Sequence, residues 1–251
     1  MKKILFTLGM LINLTVCYSQ IKANEKLIYA ASYNMSGLMT QLAQVSIETE
    51  MIHTSKKTFL HLSLQATTFS KWDSFFKIRD LYESYVDPTT LKPSLYKRSI
   101  NEGGYVKTEK YVFKSDGVSI NSTSKINKRA EINRVFTVGN TTQDVVTLLF
   151  KLRTINFNNF KIGQIKSFTI VFDEKEFPIS VKYMGKEKVS AGNLGIKECY
   201  IISIAAKTNV LKGKDKNLVW LTADTKKIPV QVKFSIPVGV GQLKLSNASG
   251  I

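Results

Sequence analysis

The sequence predicts a mainly β fold of antiparallel hairpins carrying one main α-helix. Three observations predict it. Apolar and polar residues alternate with period two in segment after segment, the mark of half-buried strands. The segments are separated by polar turns of about four residues, the spacing of a meander. One stretch alone, 141–155, carries a clear helical period.

The strands follow in order. Val45, Ile47, Thr49 and Met51 share a face, opposite Ser46, Glu48 and Glu50. Leu60, Leu62, Leu64 and Ala66 alternate with His61, Ser63 and Gln65. Tyr96–Ile100 and Val106–Phe113 read as a hairpin around Asn101-Glu102-Gly103-Gly104, and Asp116-Gly117 turns the chain toward Val118 and Ile120. Phe168, Ile170 and Phe172 lead to a charged turn at Asp173–Glu176, and Phe177, Ile179, Val181 and Tyr183 return. Turns are expected near Gly185 and over Gly192–Gly195. Ile196, Tyr200, Ile202 and Ile204 form the next face, then Leu218, Trp220 and Thr222. After a turn at Asp224–Lys227, Ile228, Val230, Val232, Phe234 and Ile236 complete the series.

Two segments break the alternation. Trp72–Arg79 has mixed spacing and predicts a short helical turn near 72–78. In 141–155, Val145, Leu148, Leu149 and Leu152 fall on one helical face. Thr141 or Thr142 is the expected cap, with Asp144 in the first turn and Lys151 and Arg153 near the end, as the helix dipole favours. The polar, basic stretch from 121 to 140 reads as an exposed connection.

The N-terminus has the layout of a secretory signal. Lys2 and Lys3 precede an apolar run from Ile4 to Val16, about 13 residues and short of the roughly 20 a spanning helix needs. Cys17 and Ser19 fit the small positions before a cleavage site at Ser19-Gln20. The expected organisation is a signal peptide over 1–19 and one soluble β-rich domain over 20–251. Lipidation at Cys17 is the competing reading, disfavoured by the bulk of Val16. The protein is then exported, periplasmic in the first instance, with outer-membrane association as a further option. Cleavage leaves Cys199 as the one cysteine, so no internal disulfide is available and the 43% apolar residues must supply the core.

The net charge is +17, two units of which leave with Lys2 and Lys3. A basic exported chain meets anionic lipid or acidic polymers rather than nucleic acid. The lysines are dispersed, however, with the densest spot at Lys212–Lys216. Solubility alone accounts for that pattern, and peripheral contact with an anionic membrane is the functional alternative.

Chemical motifs are missing. Only His53 and His61 are available to a metal site, and both read as ordinary surface histidines. No nucleophile elbow or phosphate loop occurs, and Gly239-Val240-Gly241 lies in a β context. No cofactor is implied, and Cys199 reads as a small core residue. The expectation is a protein that is not an enzyme.

The densest stretch is Trp72–Asp87. Trp72, Asp73, Phe76, Arg79, Asp80, Tyr82 and Tyr85 are the candidate ligand-binding residues, since aromatics with a few convergent polar groups are what small-molecule and lipid sites use. Its structural alternative is a corner, with Trp72 plugging one end of the sheet and an Arg–Asp pair fixing the turn.

The same stretch, with Leu91-Lys92-Pro93, resembles the exported bacterial family known as domain of unknown function 3108. Glu102-Gly103 with Tyr105, Asp144 ahead of Leu152-Arg153, Gly195 before Cys199, and Val219–Asp224 leading to Ile228-Pro229-Val230 match in order and spacing. The Ser-Gln junction of the leader is similar to those of Bacteroidetes. The resemblance transfers no activity. It implies a curved antiparallel sheet or incomplete β-barrel, similar to the half-barrels that carry lipoproteins or lipids in the periplasm. In the family pattern a Ser follows soon after the Asp before the helix. Here Val145, Val146 and Thr147 follow Asp144, which argues against a polar role at the helix start.

A curved sheet must cover its concave apolar face or leave a cavity. With 141–155 packed on that face or across one end, the leading expectation is a binding or carrier module for a lipid or other amphipathic ligand. The second is an interaction module docking an envelope protein through a strand edge or the basic 121–134 segment. The third is a hydrolase of an envelope polymer, for which Asp73, Asp80, Glu83 and Asp87 are the clustered carboxylates.

Overall fold

The computed structural model describes residues 21–35, 37–206, 217–236 and 239–251. The expected leader, its cleavage point and the Lys212–Lys216 cluster lie outside the described residues.

Among the described residues fourteen strands form one sheet. They are β1 (Lys26–Met35), β2 (Leu38–His53), β3 (Thr58–Thr68), β4 (Arg79–Val86), β5 (Pro93–Glu102), β6 (Tyr105–Phe113) and β7 (Ser119–Ile126). Then come β8 (Ile132–Thr137), β9 (Ile165–Phe172), β10 (Lys175–Ser190), β11 (Ile196–Ala206), β12 (Leu218–Thr222), β13 (Pro229–Ile236) and β14 (Gly239–Ser249). The spatial order runs from β8 down to β1, then from β14 down to β9. Every pairing is antiparallel, and β8 and β9 do not pair, so the sheet is not closed into a barrel. The chain therefore runs outward as a meander, crosses with its helix α1 (Val145–Arg153), and meanders back until β14 joins β1.

The alternation read from the sequence is the alternation of the faces. Leu60 and Leu62 are buried, with Leu64 and Ala66 half-buried in the same row, and Ile179, Val181 and Tyr183 are buried on β10. The 93–113 hairpin turns at Gly103-Gly104.

Four boundaries differ from expectation. The 121–140 stretch is β7 and β8 rather than a connection. Its inward positions include Ser122 and Ser124, so the strand gives no apolar period, and backbone pairing to Tyr111 and Glu109 holds it. Gly185 does not turn the chain. The register shifts by a bulge between Tyr183 and Gly185, and β10 continues to Ser190. The turn comes at the 3-10 segment Gly192–Leu194. The helical turn near 72–78 lies slightly upstream, as a 3-10 turn at Ser70–Trp72 prolonged when Trp72 O accepts from the Phe75 and Phe76 amides.

The helix is shorter than 141–155. Asp144 has an extended backbone (φ −82, ψ 171) and is itself the N-cap, accepting from the Thr147 amide. Thr141 and Thr142 are not the cap. Gln143 instead pairs with β9, its amide donating to Thr169 O and its carbonyl accepting from Val171 N. The Thr142 hydroxyl donates to Glu176.

Helix α1 is buried on nearly every side, as a helix apolar all round must be. Val146 and Phe150 pack with Leu60, Leu62, Tyr96, Tyr111 and Ile120 from one half of the sheet. Leu148 and Leu152 pack with Ile179, Val181, Tyr200 and Ile202 from the other. The helix thus packs on the concave face, one of the two placements expected for it, and fills most of the trough.

The unpaired seam between the two halves is fastened by side chains at the β9–β10 turn. Asp173 and Glu174 both have positive φ (47 and 60), the backbone of a two-residue hairpin turn usually given to Asn-Gly. Their carboxylates hold them there. Asp173 accepts from Arg98 and, at 2.5 Å, from Lys107. Glu174 accepts from Ser122 at 2.7 Å and Arg134 at 2.6 Å, while its amide donates to the Tyr111 hydroxyl at 2.9 Å.

Candidate functional site

One end of the concave face stays open. The meander brings the adjoining ends of β1 and β2, of β5 and β6, of β7 and β8, and of β13 and β14 to this end, together with the loop 69–78. A pocket of about 480 Å³ lies there, lined by Ala31, Tyr33, Ala43, Trp72, Phe76 and Phe234 among others, and almost wholly apolar. Its floor follows from the register. Thr68, Ala43, Ala31, Leu243 and Val232 pair in sequence across β3, β2, β1, β14 and β13, so they share one face. Two adjacent alanines in that row leave space where larger residues would fill it. A register shift between Ala31 and Ser32 sets Leu42 into the lining as well.

The walls rest on glycines. At Gly103 (φ +54) a Cβ would come within 2.8 Å of the Phe76 ring. At Gly241 a Cβ would run into the Phe234 ring.

A polar clasp suspends the aromatic loop over the opening. Arg79 donates to Asp73 through both terminal nitrogens, at 3.0 and 2.6 Å. The Thr68 hydroxyl donates to Asp73 at 2.6 Å and accepts from the Ile78 amide. The Arg79 hydrogen bonds, then that of Thr68, hold the Asp73 carboxyl below the usual range. The Trp72 indole N–H donates to Gln41 O at 3.1 Å.

The seven candidate residues therefore divide. Trp72 and Phe76 line the pocket, and Asp73 and Arg79 are the corner that holds them. The site and corner readings of this stretch describe different residues of one device. Asp80 does not join the clasp. It points to the concave face, buried, and accepts from the Asn101 amide at 3.0 Å. Tyr82 shares that face, opposite Arg98, and burial pushes its phenol up to about 12. Tyr85 lies on the other face, stacked on His61 with centroids 4.4 Å apart. Tyr82 and Tyr85 thus line no common groove.

Glu102 is the ionisable neighbour that sequence reasoning missed. Burial, then a hydrogen bond with Asp80 and its charge, push the Glu102 carboxyl up to about 7, against an opposing pull from Arg98. The folded chain then holds a proton between about pH 4.5 and 7 that the unfolded chain releases, so stability falls as pH rises through that window. Glu102→Gln is expected to flatten this slope and to melt above the parent chain on the alkaline side. Thermal midpoints across the window check it, and parallel profiles would count against it.

The four carboxylates considered for hydrolysis are held in separate roles. Asp73 pairs with Arg79, Glu83 with His61, and Asp87 caps its own turn through the Thr89 and Thr90 amides. Only Asp80 faces inward. Cys199 is buried, and burial pushes its thiol up to about 12, far from a reactive thiolate. Among the described residues no group of three or more His, Cys, Asp or Glu is placed to hold a metal ion.

The helix start carries a polar network that the missing Ser argued against. The Ser84 and Thr147 hydroxyls both donate to Asp144 at 2.7 Å, deep in the core. Thr147 supplies the hydroxyl from one turn into the helix.

Residues 29–246 match the family model described as "Protein of unknown function (DUF3108)". No curated protein matches the sequence. Among solved structures, a β-barrel-like protein of domain of unknown function DUF1849 from Brucella abortus is similar, with TM-score 0.59 and 11% identity over 90% of this chain and 97% of that one. At that identity the likeness is one of fold alone. A protein with a YmcC-like fold from Bacteroides fragilis, described as exported, has TM-score 0.35 and 8% identity over 91% of this chain and 96% of that one.

Proposed function

We propose that this chain, which belongs to the DUF3108 family of proteins of unknown function, is an exported, periplasmic binding protein without enzymatic activity that takes the apolar part of a lipid or other amphipathic ligand into its open end. The observation that carries the reading is the pocket. Its volume of about 480 Å³ falls in the ordinary range for ligand sites, roughly 300–1,000 Å³. Its lining is aromatic and aliphatic, and it opens at the mouth, so a polar head group can stay in water. Because α1 fills the trough behind it, the ligand enters the mouth end only and does not thread the sheet.

Lipid extraction and mass spectrometry of the purified protein test this directly, with a fluorescent fatty acid as a second probe. Ala43→Phe places a ring in the empty space. It is expected to weaken probe binding by roughly tenfold or more, the loss of about 1.4 kcal/mol of contact. Arg134→Gln, far from the pocket, leaves binding unchanged. A protein that carries no extracted lipid and takes up no probe would refute the reading.

A second reading rests on the sheet edge. β8 ends the sheet and exposes Val135 (72%) and Ile132 (48%), features of an edge that accepts a partner strand. Crosslinking in cells that recovers one defined envelope protein through β8 would favour it over the carrier.

A further inference from the structure

We infer that the open end of the sheet is a membrane-docking face, built to sit on an anionic phospholipid surface with the pocket mouth turned to the bilayer. A cluster of exposed apolar side chains gathers there. Leu38 (74% exposed) and Met39 stand on the β1–β2 turn, Phe75 (70%) and Phe76 on the loop 69–78, Tyr105 beside the β5–β6 turn, and Val240 at the β13–β14 turn. Away from this end the strongly exposed apolar side chains are Val135 (72%) on β8, Ile162 (75%), Ile165 (57%) and Ile196 (76%), and the turns there are otherwise mostly polar or charged. A face of aromatic and aliphatic tips on a water-soluble body is what interfacial binding uses.

The charge on this face identifies the occupant. Lys71, Lys77, Lys128 and Arg129 lie on the same loops, all exposed, and none has an ion-pair partner among the described residues. Lys71 stands over the Trp72 ring at 5.8 Å, so its charge is held at the pocket mouth beside the apolar tips. The carboxylates at this end are mostly engaged. Asp73 is clasped by Arg79, Asp173 by Arg98 and Lys107, and Glu174 by Arg134, while Glu102, hydrogen-bonded with Asp80, and Glu131 have no ion-pair partner among the described residues. Apolar tips ringed by free cations match a layer of anionic head groups over hydrocarbon, and lysine stems bridge the two zones. A protein partner of this chemistry would be an acidic, greasy surface, and the vesicle experiment separates the two.

This inference gives the proposed pocket its ligand source, yet it is tested apart from it. Full-length protein, produced and purified from cells that export it, is mixed with vesicles of phosphatidylcholine alone or with a third of phosphatidylglycerol. Sedimentation is expected with the anionic vesicles, weakening as salt rises. Lys128→Glu and Arg129→Glu should each reduce partitioning by roughly fivefold or more. Leu38→Ser with Phe75→Ser should reduce it strongly, while Ile196→Ser leaves it unchanged. The thermal midpoint of each variant shows that it is folded. No binding to either vesicle, or binding indifferent to both charge and tip variants, overturns the docking face. If vesicles are ignored but the fatty-acid probe still enters, docking fails and the pocket stands. Vesicle binding without probe uptake leaves docking and removes the pocket.

Discussion

Arg153→Ala is expected to lower the stability of the fold by about 3–5 kcal/mol, the cost of leaving one partner of a buried ion pair alone. Arg153 closes α1 and is almost fully buried, at 1% exposure. Its guanidinium donates to both oxygens of Glu25, at 2.6 and 2.8 Å, and its Nε donates to Lys226 O. Glu25 is equally buried and lies just before β1, 128 positions away. One side chain thus ties the helix to the first strand and to the β12–β13 turn. Tyr29 packs close enough for burial to push its phenol well up despite the nearby guanidinium. Truncating Arg153 leaves the Glu25 carboxylate dry and unpaired, and urea midpoints should fall by on the order of 1–2 M. Replacing both partners, as Glu25→Leu with Arg153→Met, should recover much of the loss, because an apolar pair has no charge to desolvate. A single-variant loss below 1 kcal/mol would mean that water reaches the pair.

The contrast between that pair and its sequence reading shows where a one-dimensional argument stops. Lys151 and Arg153 occupy equivalent sites by dipole reasoning, both cations in a last turn. Two residues apart they point to opposite sides of the helix, and only the fold decides that the buried side, where Arg153 points, holds the Glu25 carboxylate. The strands themselves were legible because burial on one face imposes period two on the residues. β7 was not, because Ser122 and Ser124 stand on its inward face, the first donating to Glu174 of the β9–β10 turn. Half of the pocket was legible in the same sense. Trp72 and Phe76 are conspicuous side chains in a dense stretch. Ala31 and Ala43 are not, since a pocket floor is made by what is absent, and two alanines far apart in sequence become neighbours only through the β1–β2 register. Tyr85 illustrates the opposite error. Its distance from Tyr82 is an odd number of residues, which in a strand sends the two rings to opposite faces.

The second large effect is expected at Asp144, where Asp144→Ala should cost about 2–4 kcal/mol. Loss of an N-cap costs about 1 kcal/mol, and an unsatisfied buried hydroxyl adds about 1–3. Asp144 Oδ1 accepts from the Thr147 amide at 2.8 Å, and Oδ2 from the two hydroxyls. Once the carboxyl is gone, Ser84 and Thr147 can bond each other at 2.9 Å, so one orphan rather than two remains. The charge itself is expensive. Burial pushes the carboxyl above its ordinary range, and the Thr147 and Ser84 hydrogen bonds oppose that shift. A raised folded pKa means that the native state binds the proton more tightly than the unfolded chain. The contribution of Asp144 is therefore full below the unfolded value and declines as pH rises from there toward the folded one. Asp144→Asn keeps a capping oxygen and cannot ionise. Its deficit relative to the parent chain should be greatest in acid and shrink toward neutrality, whereas Asp144→Ala keeps its cap loss throughout. Because α1 is the element that both halves of the sheet pack against, loosening its first turn should also loosen the seam at Asp173-Glu174. Amide exchange of β9 and β10 should accelerate together with that of α1 in Asp144→Ala. Exchange confined to the helix would instead show that the seam is held by its own ion pairs.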